Sequence, residues 1–232
     1  MQKVLKNYST LLEEYEKRKY SIKRRLKDFQ DFYNKPLVWE YKNKIIKLVP
    51  SNKTDDERLF EELSFCILTA NGTAETGINC INKIRPILVK GTARQIQKLL
   101  IGHCRFHNRA SYIVHNREFL KKKYNFKLKQ LIEQFTDMQA IRDFLVINIK
   151  GFGYKESSHF LRNIGFRGYA ILDKHIINSM KEFGIIKDIK TITPKRYLEL
   201  EQTYINWAKE IGIDNDELDL LLWSRKTGKI LK

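Results

Sequence analysis

The chain has few residues that break regular structure. It holds 11 glycines and 4 prolines in 232 residues, roughly half the share of an average chain. With many Leu, Ile, Lys and Glu besides, this points to a mostly helical protein. Cysteine is almost absent: Cys66, Cys80 and Cys104 are 3 in number and widely spaced. That excludes a disulfide framework and a zinc site, both of which need paired ligands at short spacing. No cysteine follows Cys104, so a four-cysteine iron–sulfur cluster in the C-terminal half is excluded too. The three are expected to be reduced and buried as small apolar residues. No stretch approaches the roughly 18 uninterrupted apolar residues of a membrane span. The opening MQKVLKNYSTLLEEYEKRKY lacks the apolar core of a signal peptide, so the cytosol is the expected compartment. Internal repeats and low-complexity linkers are missing as well. At 42% hydrophobic and 12% aromatic residues the chain is not disordered.

Positive charge is abundant. Lys plus Arg is 44 and Asp plus Glu 27, a net +17, which favours polyanionic partners, nucleic acid first and acidic membrane second. Basic residues interleave with aromatics in KRKYSIKRRLKDFQDFY (17–33) and RFHNRASYIVHNREFLKKKY (105–124). No long block of one sign occurs, so these are faces of folded helices and not a tail.

Along the chain, residues 1–33 read as one or two amphipathic helices, with Leu5, Leu11, Leu12, Tyr15 and Ile22 near helical spacing. Residues 36–48 alternate apolar and polar and read as extended. Thr54 or Asp55 caps a helix that Asn71-Gly72 ends. Helices follow over about 74–88, 92–101 and 106–123, with two short ones inside 127–148. After a glycine turn come helices at 155–164, 174–183, 194–212 and 214–224. Gly165 and Gly168 end the first of these, and YAIL is a short extended stretch. The fold class is all-α, built of many short helices and not of a long bundle.

The stretch IRDFLVINIKGFGYKESSHFLRNIGFRGYAILDKHIINSM (141–180) carries the chemistry. Helix, apolar residue, Gly-x-Gly, helix is the layout of a helix-hairpin-helix. Gly151 and Gly153 allow positive φ and a close backbone approach. They leave amides at the start of the next helix for a phosphate, beside the positive helix end. An ordinary helix–turn–helix connector has the same outline. Lys155 lies in the first turn of that helix. The dipole and any burial both disfavour an ammonium there, so its pKa is expected to fall, and a neutral amine is a nucleophile able to form a Schiff base. A phosphate-binding lysine is the blander alternative. The helix from Lys155 rises about 14 Å, and residues 165–173 can span up to about 30 Å. The chain can therefore double back and bring Asp173 beside Lys155. Asp173 is equally a good N-cap for KHIINSM.

These residues resemble the helix-hairpin-helix DNA glycosylase superfamily through GFGYK (151–155) followed by Asp173 in AILDKHI. Within it, LSFCILTANGTAETG (63–77), RFHNRASYIV (105–114) and the tail LDLLLWSRKTGKILK (218–232) are similar to the archaeal-type 8-oxoguanine DNA glycosylase/lyases. The resemblance covers roughly 55–232. It implies two helical subdomains flanking a cleft: one of about 1–60 plus 190–232, the other a helical barrel of about 61–189 holding the helix-hairpin-helix at 141–165. It also implies that Lys155 is the nucleophile, that Asp173 is the catalytic acid, and that Lys232, through its side chain or carboxylate, distinguishes 8-oxoguanine from guanine. Trp223 and Phe106 become candidates to sandwich an extruded base. Asn71, otherwise a loop former, becomes a candidate to fill the gap the base leaves. Asp219, on an apolar helix, is a structural partner or an acceptor for the base. His103, His107, His159 and His175 share no metal spacing; His175 is expected to be structural or to meet phosphate.

The expected function is base-excision repair of 8-oxoguanine in double-stranded DNA, with β-elimination at the resulting abasic site through a lysine Schiff base. No metal or cofactor is needed. The enzyme is expected to be a nucleoid-associated monomer with no membrane role. An oxidised-pyrimidine glycosylase/lyase shares the Lys/Asp pair, but its relatives usually carry the missing iron–sulfur cysteines. A non-catalytic helix-hairpin-helix module needs only the glycines and the charge, as does a basic helical scaffold for RNA.

Overall fold

The structure, a computed structural model, describes all residues except 1, 71, 104–107 and 190, and the side chains of residues 2–7 are also outside it. In chain order the elements are α1 (Gln2–Asn34), β1 (Leu37–Lys42), β2 (Ile45–Pro50), α2 (Asp55–Thr69), α3 (Ala74–Ile84), a 3-10 turn (Arg85–Ile87), α4 (Ala93–Leu100), α5 (Arg109–Tyr124), α6 (Leu128–Glu133), α7 (Met138–Asn148), α8 (Tyr154–Asn163), α9 (Lys174–Glu182), α10 (Pro194–Ile211) and α11 (Asn215–Thr227). The protein is helical, with one small hairpin. It divides into two compact units, Gln30–Gly165 and Met1–Phe29 with Phe166–Lys232.

The unit Gln30–Gly165 is built around α2. Thr54 starts that helix with a capping box: its hydroxyl accepts from the Glu57 N–H at 3.2 Å, and the Glu57 carboxylate accepts from the Thr54 N–H at 3.0 Å. Asp55, Asp56 and Glu57 place negative charge on the positive helix end. From Arg58 to Thr69 every residue is buried, the mark of a helix enclosed on all sides. Helices α3, α5, α6 and α8 pack around it. Its polar residues must then find partners inside the protein. Arg58 donates to the carbonyls of Phe32 and Leu37 and pairs with Asp55, tying α2 to the end of α1 and the start of β1. Glu61 accepts from Arg85 at 2.7 Å and meets Lys53 at 3.2 Å. Glu62 accepts from the Asn163 amide at 2.7 Å, which anchors the far end of α8.

Strands β1 and β2 pair antiparallel, with Trp39 opposite Leu48. They are joined through Asn43 and Lys44 at φ 52° and 62°, the left-handed pair that a tight hairpin turn requires. The alternation over 36–48 pointed to extended chain; the turn itself was hidden, because Asn-Lys lacks the usual glycine. Trp39 stacks on Phe32, ring centroids 6.2 Å apart.

In the other unit, α1 buries Leu11, Tyr15, Ile22, Leu26 and Phe29, a helical stripe. Leu12, expected on that stripe, is exposed; it is adjacent to Leu11 and so points about 100° away. Leu5 lies outside the described side chains. The Tyr15 hydroxyl donates to Glu217, and burial together with that carboxylate pushes the phenol far above its usual range. Arg225 bonds Glu14 at 2.8 Å while its guanidinium covers the Phe183 ring at 5.2 Å. Phe183 also meets Trp207, at 5.3 Å. Cys66 and Cys80 are both fully buried, as expected; Cys104 is outside the described residues. No described helix is long and apolar enough to cross a membrane.

The Arg58 side chain is only 1% exposed. Replacing it by leucine leaves two buried carbonyls without this donor, which is expected to cost about 3 kcal/mol. Urea unfolding of Arg58→Leu measures this. A loss below about 1 kcal/mol would mean that both carbonyls find other donors.

Candidate active site

Helices α7 and α8 are joined by a tight turn through residues 149–153, the helix-hairpin-helix expected from the sequence. Gly151 has φ +92°, and a Cβ there would come within 2.8 Å of the Tyr112 ring. Both the backbone conformation and the close approach thus demand glycine. Gly153 is different. Its φ of −114° and ψ of −169° are extended, and an added Cβ would only touch Glu156 at 3.6 Å. Of the two glycines that allow positive φ, only Gly151 adopts it: the turn needs one left-handed residue. Gly153 serves as the N-cap of α8, and its own N–H is taken by the Glu156 carboxylate at 3.3 Å.

The hairpin is held from α5. The Asn116 side-chain amide bonds the Lys150 peptide on both sides: it donates to the Lys150 carbonyl at 2.9 Å and accepts from the Lys150 N–H at 2.8 Å. Tyr112, one turn earlier, lies against Gly151, and Asn108 donates to the Tyr112 hydroxyl at 2.9 Å. Asn108, Tyr112 and Asn116 recur every four residues, so one face of α5 is given to the hairpin. The hold on the hairpin is not among the sequence expectations for this segment; the i, i+4, i+8 row of polar and aromatic residues is the signal that carries it.

Lys155 is the second residue of α8, directly after the turn. Its side chain is 25% exposed and its ammonium lies 3.7 Å from Glu156. The neighbouring Tyr154 hydroxyl donates to Asp143 at 2.9 Å, fastening α8 to α7.

Asp173 belongs to the other unit. It is the N-cap of α9, and one carboxylate oxygen accepts from the N–H groups of His175 at 2.8 Å and Ile176 at 2.9 Å. His175, in the first turn, meets Trp223 of α11 edge-on, with centroids 4.6 Å apart. Asp219 is on the same helix one turn before Trp223 and is buried. Lys232 is 7% exposed. The structure thus gathers Asp173, His175, Trp223, Asp219 and Lys232 into the unit Phe166–Lys232, and Gly151, Gly153 and Lys155 into the unit Gln30–Gly165. Asn71 and Phe106 lie outside the described residues.

Comparison with known proteins sets this arrangement in a family. The model of the Ogg-HhH family, 8-oxoguanine DNA glycosylase, matches residues 42–213. An 8-oxoguanine DNA glycosylase/AP lyase of Methanocaldococcus jannaschii is 37% identical over 214 residues, covering 91% of each chain. A protein of the same name from Aquifex aeolicus is 43% identical over 189 residues, covering 76% of this chain and 80% of its own. The crystal structure of the Methanocaldococcus jannaschii 8-oxoguanine DNA glycosylase superposes with a TM-score of 0.81 at 36% identity, over 98% of this chain and 97% of that one. The structure of that glycosylase/lyase in complex with a 15mer DNA containing 8-oxoguanine gives 0.79, also at 36% identity, over 96% of this chain and 100% of that one. A hairpin with a lysine on the first turn of its second helix, and an aspartate N-cap following it, occur here in a chain that belongs to the helix-hairpin-helix 8-oxoguanine DNA glycosylase family.

Proposed function

We propose that this chain removes 8-oxoguanine from duplex DNA and cuts the backbone at the abasic site, with Lys155 as the nucleophile and Asp173 as its acidic partner. The observation that carries the reading is the presentation of Lys155: it is partly exposed on the first turn of α8, immediately after a hairpin whose Gly151 adopts the left-handed conformation. A helix start of this kind attracts phosphate, and a net charge of +17 supplies the long-range pull toward DNA. The enzyme works on DNA in the nucleoid.

The unprotonated Lys155 amine attacks C1′ of the extruded nucleotide as the C1′–N9 bond breaks, and the base leaves with the bonding electrons and gains a proton. Positive charge develops on the sugar during this step, and the Asp173 carboxylate stabilises it. Its two cap bonds fix where that carboxylate points. The sugar ring opens to a Schiff base between Lys155 and C1′. Loss of a C2′ proton then expels the 3′ phosphate, which cleaves the strand. Trp223, Phe106, Asp219 and Asn71 are proposed to handle the base and the gap it leaves.

Lys232 is proposed to distinguish the lesion. Among the described residues it is the only buried lysine, and lysine is almost never buried without a specific partner. 8-Oxoguanine has a proton on N7 where guanine has an acceptor. An acceptor held at that point by Lys232 rewards the lesion and repels the normal base.

Three measurements test this. Lys155→Gln is expected to abolish borohydride trapping on a lesion-bearing duplex and to change DNA affinity by less than about threefold, because only the nucleophilic amine is lost. Full trapping in this variant would move the nucleophile to Lys150 or Lys174. Asp173→Asn keeps an effective N-cap and is expected to slow base excision about a hundredfold or more. If the variant is only less stable, with excision per folded molecule intact, Asp173 is a cap alone. Deleting Lys232 is expected to reduce 8-oxoguanine excision much more than cleavage at a pre-formed abasic site. Equal losses on both substrates would remove Lys232 from base reading.

A further inference from the structure

The segment leading into Asp173 is buried yet belongs to no helix or strand. Tyr169, Ala170, Ile171 and Leu172 are each less than 5% exposed. Their backbone groups therefore need partners that no helix or sheet ladder provides. Side chains of α10 and of the start of α11 provide them. The Gly168 N–H donates to Asp216 at 3.0 Å, and Asn215 donates to the Tyr169 carbonyl at 3.2 Å. The Ala170 N–H donates to Glu201 at 2.9 Å. The Tyr197 hydroxyl then does two things: it donates to the Ala170 carbonyl at 2.7 Å and accepts from the Leu172 N–H at 3.2 Å. Tyr197 and Glu201, both buried, are one helical turn apart and face the same peptide. They act as a neighbouring strand would, on a segment that has none. Arg167 closes the other end, bonding Asp214 at 2.6 Å and Asp216 at 3.3 Å. Burial pushes the Asp216 carboxyl above its ordinary range, against the pull of the Gly168 N–H, while Asp214 adds to the rise and Arg167 opposes it.

We infer that Tyr197, with Glu201, is a positioning residue for Asp173: its hydroxyl ties down the peptides on either side of Ile171, two residues before the aspartate, and so sets the aim of the carboxylate. The inference rests on the catalytic reading of Asp173. On the N-terminal side the Asp173 N–H donates to the Ile171 carbonyl at 2.8 Å, and the Tyr197 hydroxyl grips the peptides on either side of Ile171. The α9 cap bonds hold the carboxylate relative to its own helix; Tyr197 holds the entry to that helix. A shift of about 1 Å at a catalytic group can cost about a hundredfold in rate.

The test is a double-mutant cycle read as single-turnover excision of 8-oxoguanine per folded molecule. Tyr197→Phe is expected to lower that rate about tenfold or more, with lesion-DNA affinity changed by less than about twofold. In the Asp173→Asn background the same change is expected to lower it by less than about twofold, since a residue acting only through Asp173 has nothing left to position. Tyr15→Phe also removes a buried tyrosine hydroxyl in this unit, but one bonded to Glu217, and is expected to leave the rate unchanged. Glu201→Leu is expected to slow excision, and Glu201→Gln, which retains an acceptor for the Ala170 N–H, to restore it. These two variants keep the question open to refutation if Tyr197→Phe fails to fold. An additive loss in the Asp173→Asn background, or an unchanged rate in both Tyr197→Phe and Glu201→Leu, overturns the inference. A wild-type rate in Asp173→Asn alone overturns instead the catalytic reading on which it rests.

Discussion

Buried backbone that lies outside a helix or sheet must still be hydrogen-bonded, and the candidate site is organised around that constraint. On the proposed reading two irregular segments, one in each unit, precede the residues that matter; the first is partly exposed and the second buried. Residues 149–153 lead to Lys155, and residues 168–172 lead to Asp173. Neither has a strand beside it. The first is held by the two-sided amide bond of Asn116 and the Tyr112 ring. The second is held by Asp216, Asn215, Glu201 and Tyr197. In both cases a regular helix, rigid by its own bonds, extends polar side chains sideways to fasten a turn. An amide is well suited to this, because it can bond both the N–H and the carbonyl of one residue; a tyrosine hydroxyl can likewise donate to one peptide and accept from the next. The polar residues buried in these helices are therefore not exceptions within an apolar core. They supply the tethers that irregular backbone needs.

The sequence reveals local devices and conceals remote ones. The Thr54 capping box, the Asp173 cap and the left-handed Gly151 each depend on residues within a few positions, so pattern reading finds them. The long helix α1 shows itself through its stripe of Leu11, Tyr15, Ile22 and Leu26, and it runs as one helix because no Gly or Pro interrupts it, although Thr10 and Ser21 are residues that could cap a second one. By contrast Asn116 bonds a peptide 34 positions away and Tyr197 one that is 27 away. Nothing in the periodicity of α10 distinguishes Tyr197 from Tyr204, another buried tyrosine on the same helix, whose hydroxyl meets the Asn215 carbonyl instead. Gly153 shows the opposite error. It completes a recognisable motif, yet its backbone is one that any residue adopts, so its identity does not follow from conformation.

On the proposed reading, Asp173 unites two roles that are often set against each other. An N-cap carboxylate accepts N–H bonds from its own helix, and those bonds cost a catalytic group some of its capacity to interact elsewhere. Here the His175 and Ile176 N–H groups both bond a single oxygen. The same bonds restrict the χ angles of the side chain, so what the cap removes in hydrogen-bonding capacity it returns as orientation. A lysine nucleophile gains nothing comparable from its helix, since its long side chain keeps its rotamers. Accuracy on the carboxylate side is therefore the part that the scaffold can secure most directly.

The distribution of charge follows from the same economy of partners. Glu61, Glu62, Glu201, Asp216, Glu217 and Asp219 are all buried, and the bonds described above commit most of them to arginines, amides, hydroxyls or backbone N–H groups of the fold. Each acid drawn inside is one fewer on the exterior. Among the described residues the buried bases are Arg58, Arg117, Arg142 and Arg162, together with Lys232; arginine is favoured there because its planar fork can satisfy several carbonyls and carboxylates at once. Arg117 illustrates this, donating to the Leu88 carbonyl at 3.0 Å and the Gly91 carbonyl at 2.8 Å. The other described lysines remain outside, where a compact, strongly hydrated charge is cheapest to keep and best placed to meet phosphate. Among the described residues six acids and five bases are drawn inside, so the interior takes up almost no net charge, nearly all of the net +17 stays on the exterior, and Lys232 is the one described lysine that is buried.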